Sequence, residues 1–211
     1  MAYIIFSCIT VPMLLLLPLL ETRSRYIVGF MLAGIVMALC SYEINSLLFL
    51  LSGLDPQIFS QVVPPVVEEL LKALPVLVYA VLLDDRRERV LAIAMAVGVG
   101  FAVLENTVLL AEHTGAVTLA WAAARGFSAS LMHGLCTMAV GMGITYIKKQ
   151  KKLFYTGTFG LLSIAITVHA MFNMLIQSRY DSISMVMPAV LYGLLYVLKK
   201  WKAAKLSRLI Y

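Results

Sequence analysis

Seven long apolar runs follow one another along the chain, at about 1–20, 26–51, 58–83, 90–112, 119–147, 153–177 and 183–198. A helix of about 20 such residues, rising about 1.5 Å per residue, crosses roughly 30 Å of hydrocarbon. The runs show no two-residue alternation and exceed barrel strands in length. They therefore predict helices, which satisfy their backbone polar groups internally. Only 13% of the 211 residues are charged and 62% are hydrophobic, whereas soluble domains carry about a quarter charged residues. That excludes a soluble domain. Three cysteines, Cys8, Cys40 and Cys136, lie inside apolar runs without framework spacing, which excludes a disulfide scaffold. The net charge is +6, but the basic residues fall in short clusters between runs and form no nucleic-acid-binding face. The sequence thus predicts an all-α polytopic membrane protein of about seven transmembrane helices, a single integral domain over 1–211 whose lasting partner is the lipid bilayer.

The clusters also predict orientation. The first, third and fifth loops carry two, three and four Lys/Arg, and the tail after Leu198 carries five, together 14 of the 17. Of the rest, Lys72 and Arg125 lie within runs and only Arg179 lies in an even-numbered loop. The positive-inside rule then places the N-terminus outside and the C-terminus in the cytoplasm. No basic residue precedes the first run, whereas Arg23 and Arg25 follow it, so it reads as a retained span and not as a cleaved signal peptide.

Within the runs a small polar set stands out: Glu68, Glu69 and Lys72 in the third, Glu105 and Asn106 in the fourth, Arg125 and His133 in the fifth, His169 and Asn173 in the sixth. A charge at mid-bilayer costs about 2.5–3.5 kcal/mol on insertion scales. Five unpaired charges would cost over ~10 kcal/mol, as much as the stability of a domain. These groups must meet one another, water or a ligand. Glu68 with Lys72, Phe101 with Glu105, and His169 with Asn173 are each four apart and share a helix face. Arg125 and His133 are two turns apart on nearly the same side. Counted from the expected outer ends, most of the set lies about four to ten residues in, with His133 deeper, so four helices of alternating direction bring it to the outer half of the membrane.

The residue types point to hydrolysis, which needs a base for water, donors for an oxyanion and an acid for the leaving amine. The carboxylates and histidines supply the first and third; Asn173, His169 or Arg125 can supply the second. Ser128 and Ser130 share a helix with His133 but have no orienting acid there, which speaks against a serine nucleophile. The same carboxylate–imidazole set suits a zinc-like ion, although charge counting does not require one: three Glu against Lys72 and Arg125 leave one negative charge.

Glu68-Glu69-Leu70-Leu71-Lys72, Gly100-Phe101-Ala102-Val103-Leu104-Glu105-Asn106, Arg125 with His133, and His169 with Asn173, in order on four consecutive runs, resemble the PrsW family. These intramembrane proteases are related to the CAAX prenyl endopeptidases and the bacteriocin-processing membrane proteases. The resemblance covers roughly 64–175, and the flanking runs match in topology. It implies an endopeptidase of the bacterial cell membrane acting on membrane-anchored, single-span substrates, such as an anti-sigma factor receiving its first, extracytoplasmic cut during envelope stress. By position, Glu68 and Glu69 would activate water with Glu105 and His133 beside them, and His169 would serve the oxyanion or a metal. Lys72, Phe101, Asn106 and Arg125 would support the site. Related proteins work either as glutamic-type enzymes without a cofactor or with one divalent ion such as zinc, here held by Glu68, Glu105, His133 and His169. The chain departs from both branches: Asn173 stands where PrsW proteins carry Asp, and Glu105 where the CAAX branch carries His.

The rival class is a proton-coupled transporter or channel, since buried carboxylates and histidines also form relays. Against it stand the lack of inverted repeats and the clustering in one leaflet. Among the remaining residues, Glu43 and Asn45 read as structural. Gly98, Gly100, Gly141 and Gly143 read as close helix contacts, Pro64-Pro65 as the start of the regular third helix, and Tyr26, Trp121, Tyr146 and Trp201 as interface aromatics. Orientation has a direct test. A cysteine at Gln150 is expected to resist an impermeant thiol reagent in intact cells, measured against the parent protein; ready labelling would reverse the orientation.

Overall fold

A computed structural model describes residues 1–113 and 117–210, the side chains of 198, 199 and 201–210 excepted. Among the described residues there is no strand. The order is α1 (Ala2–Leu16), a 3-10 turn (Leu17–Leu19), α2 (Thr22–Ser52), α3 (Pro56–Leu82), α4 (Arg87–Glu112), α5 (Leu119–Ile144), α6 (Lys151–Ile176) and α7 (Asp181–Ile210). Five of these, α1 with its turn, α2, α4, α5 and α6, are long and apolar enough to cross a membrane. Helix α3 carries the Glu68, Glu69 and Lys72 charges, and the described apolar part of α7 runs only over Asp181–Val197. The protein is a multi-pass membrane protein. The expected loop 113–118 lies partly outside the described residues, as do the side chains of Trp201 and of most basic residues in the tail.

Local chemistry explains the helix ends. Arg25 donates to the carbonyls of Leu17, Pro18 and Leu20 at 3.0, 3.3 and 2.9 Å, satisfying acceptors that the end of α1 leaves free. Helix α2 stops at Gly53, whose φ of 63° is the left-handed cap glycine adopts without strain. The third helix corrects the expectation for Pro64-Pro65. It starts at Pro56, not at Pro64, because Asp55 Oδ1 accepts from Gln57 N and Ile58 N (2.9 and 3.4 Å) and Pro56 takes the first position. Pro64, Pro65 and Pro75 all lie inside it. In the α3–α4 connection Asp84 accepts from Arg86 and pairs with Arg89 at 2.8 Å, and the Arg86 hydrogen bond holds its carboxyl well below the usual carboxylate range.

Helices α4 and α5 form the centre of the bundle. About two-thirds of their apolar windows are buried, against 11% for α1. Gly98 and Gly100 make that centre compact: a Cβ at Gly98 would stand 2.5 Å from the carbonyl oxygen of His133, and one at Gly100 would strike the backbone of Met31 on α2. Helix α3 turns Leu70, Leu74 and Val78 outward, each about half exposed, and puts Glu68, Glu69 and Lys72 on its buried face. The connections α2–α3, α4–α5 and α6–α7 gather at one end, where Gln61 Nε2 donates to Gln177 Oε1 at 3.4 Å. The others gather at the opposite end, where Lys149 Nζ donates to the Asp85 carbonyl at 3.2 Å. Below Lys72 and His133, toward that second end, Val76, Ala80, Val97, Cys136 and Val140 fill the interior.

Since Gly98 lets the α4 and α5 backbones touch beside His133, Gly98→Ala is expected to destabilise the protein by about 1–3 kcal/mol through overpacking. A thermal-unfolding scan in detergent checks this. Gly126→Ala, where nothing lies within 4 Å of the added carbon, serves as the unaffected control.

Candidate active site

Four helices contribute to one buried polar cluster. From α3, Lys72 Nζ lies 2.6 Å from Glu69 Oε1, and both side chains have no exposed surface. Glu68 and Lys72 share a helix face, but Lys72 pairs at i,i+3 with Glu69, leaving Glu68 to face the cavities. The same ammonium donates to His133 Nδ1 on α5 at 2.8 Å and stands 4.7 Å over the Phe101 ring of α4. Glu69 Oε1 also accepts from His169 Nδ1 on α6 at 2.9 Å. One carboxylate oxygen thus binds Lys72 and His169, and one ammonium joins Glu69 to His133.

These contacts fix the outward-facing atoms of both imidazoles. With Nδ1–H given to Glu69, His169 presents the Nε2 lone pair, 3.6 Å from Glu68 Oε2. With Nδ1 accepting from Lys72, His133 presents Nε2 to Glu105 Oε2 at 2.6 Å, and the rings meet edge to face at 4.8 Å. Yet Glu68 Oε2 and His169 Nε2 are both buried without a hydrogen bond. Buried polar atoms are rarely left so.

Two cavities meet at this cluster, sharing Pro64, Glu68, Glu105 and Leu109 as walls. One, of about 350 Å³, is mainly apolar and runs between α2 and α4 past Ala38, Phe49, Phe59 and Leu104. The other, of about 600 Å³, opens at the α4–α5 and α6–α7 end past Ser60, Trp121, Arg125, Asn173 and Gln177. Glu69 lines neither. Asn173 Nδ2 donates to the Ser60 carbonyl at a long 3.4 Å. Asn106 stays apart: it is buried, both its side-chain polar atoms are unpaired and it lines neither cavity. Ser128 Oγ is occupied with the Arg125 carbonyl at 3.3 Å.

Sequence reasoning missed three contributors, Ser41, Asn45 and Trp121, while Glu43 keeps the structural part read for it. Asn45 and Ser41 line the apolar cavity, with Asn45 Nδ2 donating to Ser41 Oγ at 3.0 Å; their signal was a polar i,i+4 pair on α2. Glu43 accepts from Tyr3 Oη at 2.6 Å and ties α1 to α2. Trp121, read as an interface aromatic, lies 5.8 Å beneath the Arg125 guanidinium and lines the polar cavity; it stands one turn before Arg125.

The model of the PrsW family, described as intramembrane metalloproteases, matches residues 22–199 of this chain. The chain belongs to this family. It is therefore an intramembrane peptidase, and the multi-pass bundle is its scaffold. No curated protein and no solved structure matches the chain. The matched segment contains every member of the buried cluster; α1 precedes it.

The family's description implies a metal, and the residues of this PrsW-family chain fit one. Glu68, His133 and His169 each offer a ligand atom, all within 4.8 Å of one another. Glu68 Oε2 and His169 Nε2 approach at 3.6 Å without a hydrogen bond and leave lone pairs that an ion needs, and His133 would join them by giving up the Nε2 proton it turns to Glu105. A two-histidine, one-glutamate set is a common catalytic zinc set, and Glu69 behind His169 supplies the orienting carboxylate such ligands use. Glu105 adjoins this group through His133. Purified active protein is expected to hold about one divalent ion per chain by elemental mass spectrometry, and Glu68→Gln to lose most of it. Less than about a tenth of an equivalent, with activity insensitive to chelator, would reject the ion.

Proposed function

We propose that this PrsW-family peptidase cuts single-span, membrane-anchored proteins of the bacterial cell membrane near their extracytoplasmic boundary, an anti-sigma factor receiving its first cut being the substrate in view. The observation that carries this reading is the junction of two cavities at Glu68 and Glu105. A scissile bond must be flanked by chain on both sides, and here an apolar arm and a polar arm meet at the reactive groups. A peptide carbonyl within a helix is engaged in its own hydrogen bonds, so the target must be a frayed, hydrated segment. The polar arm opens at the end that the basic-residue count assigns to the outside.

The residues divide the work as follows. Glu68 and Glu105 face the cavities, hold water at the scissile carbonyl and accept its proton. With no ion bound, His133 Nε2–H, beside Glu105, carries a proton toward the leaving amine; with His133 Nε2 on an ion, Glu105 carries it instead. A bound ion at Glu68, His133 and His169 would acidify that water and polarise the carbonyl. Asn173, weakly tied to Ser60, is free to donate to the developing oxyanion. Glu69 has another part from the expected base: fully buried between Lys72 and His169, it holds the His169 ring in place. Lys72 neutralises Glu69 and sets the proton position on His133. The interior below Lys72 is mainly apolar, and the buried Thr137 hydroxyl there is given to the His133 carbonyl of its own helix, which favours hydrolysis over transport.

Purified protein in detergent, incubated with single-span candidate substrates, tests the reading. Glu68→Gln is expected to lower cleavage at least about 10²-fold at nearly constant side-chain volume. Glu69→Gln should lower it about 10–100-fold, the usual range for an orienting carboxylate. Mass spectrometry of the products should place the cut within several residues of the substrate's outer boundary. Full activity in both variants, or a cut in the cytoplasmic half of the span, would overturn the mechanism.

A further inference from the structure

Among the described residues, Arg125 is the one buried cation that makes no ion pair within 4.0 Å. It is 5% exposed, and its Nε is buried without a hydrogen bond. Among the described residues no carboxylate comes within 4.0 Å of its guanidinium. Arginine stays charged and offers five donors in a rigid fork. An unpaired guanidinium inside an apolar bundle is costly, yet this one is held against the Trp121 ring, 5.8 Å away, and lines the polar cavity that ends at Glu68 and Glu105. Glu105 starts from the same backbone level, but its carboxylate is engaged 2.6 Å from His133. Side chains lean toward the N-terminus of their helix. Helices α4 and α5 are joined by one short connection and run in opposite directions, so Glu105 leans down to His133 while Arg125 leans up toward the mouth. Arg125 is therefore a built anion site whose anion must arrive from outside the chain.

We propose that Arg125 anchors an acidic group of the substrate: a carboxylate on the hydrated flank, two to four residues from the bond that is cut. This rests on the endopeptidase reading and adds a sequence preference to it. Arg125 lies eight residues before His133 on α5, about 12 Å along the axis, and leans further away. That offset removes it from the reacting carbonyl and makes it a specificity residue. An extended peptide advances about 3.3 Å per residue, so 12 Å is about four residues, fewer where the Arg and acidic side chains reach toward each other. The other polar groups of this arm, Ser60, Asn173 and Gln177, are neutral and suit a peptide backbone. Glu68 and Glu105 at its floor repel an acid placed directly at the cut bond, so the preference has an inner limit as well as an outer one.

Binding and cleavage are measured separately. Labelled peptides, each an apolar segment followed by a hydrated flank with one Asp walked through positions one to six from the cut, are titrated by fluorescence anisotropy into the full chain carrying Glu68→Gln. Asn replaces Asp in the controls. The expected result is at least about tenfold tighter binding of Asp than Asn at positions two to four. Adding Arg125→Gln should abolish the difference, Arg125→Lys should keep part of it, and Arg125→Glu should transfer it to a Lys peptide. No Asp preference, or a preference that survives Arg125→Gln, would overturn the proposal. The position scan needs no change at Arg125, so a poorly folding variant still leaves a decisive result. A short-chain phosphatidylglycerol that binds through Arg125 more tightly than the Asp peptide would assign the site to lipid phosphate and overturn the proposal. In the unaltered protein, a kcat fall in Arg125→Gln equal for Asp and Asn substrates would assign an oxyanion role instead. Cleavage without charge preference would end this inference and leave the endopeptidase standing; Arg125-dependent binding without cleavage of any substrate would do the reverse.

Discussion

An ammonium with no exposed surface sits at the centre of this bundle, and the site depends on how it is compensated. Lys72 cannot reach water, so Glu69 at 2.6 Å neutralises it and His133 takes a second proton at 2.8 Å. Removing one partner of such a buried pair typically costs about 3–5 kcal/mol, because the other charge is left uncompensated. That penalty makes the arrangement rigid. Glu69 is committed twice, to Lys72 and to His169, so both imidazoles are oriented from behind by a single ion pair, with their Nε2 atoms turned toward Glu68 and Glu105. Preorganisation of this kind is what a hydrolytic site requires, since reactive groups must be held in place before the substrate arrives.

Backbone contact makes the cluster compact enough to work. The α4 and α5 axes approach closely because Gly98 presents no side chain to His133 and Gly134, and α4 meets α2 the same way at Gly100. Two helices pressed together at that point leave room beside them, and the room is divided by Glu68 and Glu105 into an apolar and a polar arm. A substrate that spans the membrane has the same division in its own chain, an apolar part and a hydrated part. On the function proposed here, the reactive groups stand where the two meet, which would admit water without opening a path through the hydrocarbon.

Much of this was legible along the chain. Helical class followed from run length and the absence of alternation, and the described residues form seven α-helices that follow the seven runs. Glu68, Glu105, His133 and His169 were legible because a charged or imidazole group in an apolar run has no cheap structural reason to be there. Helix starts were less legible. Pro64-Pro65 resembled a start, but the cap at Asp55 outweighed it, since two backbone donors satisfied at Asp55 fix the first turn wherever they occur. Trp121 looked like an interface ring because its partner, Arg125, is one turn away and only the fold shows that the guanidinium has no other.

The sequence alone determined that the chain crosses a membrane, which groups are too polar to be there without a use, and which family's motif they spell. These follow from transfer energies and helical periodicity, which are local. Tertiary structure decided which glutamate faces the cavities and which is buried behind them. Glu68 and Glu69 are neighbours about 100° apart on one helix, and nothing along the chain says which of them faces the cavity. That depends on where Lys72, His133 and His169 converge across three helices, and on the glycine contacts that set the distance between them.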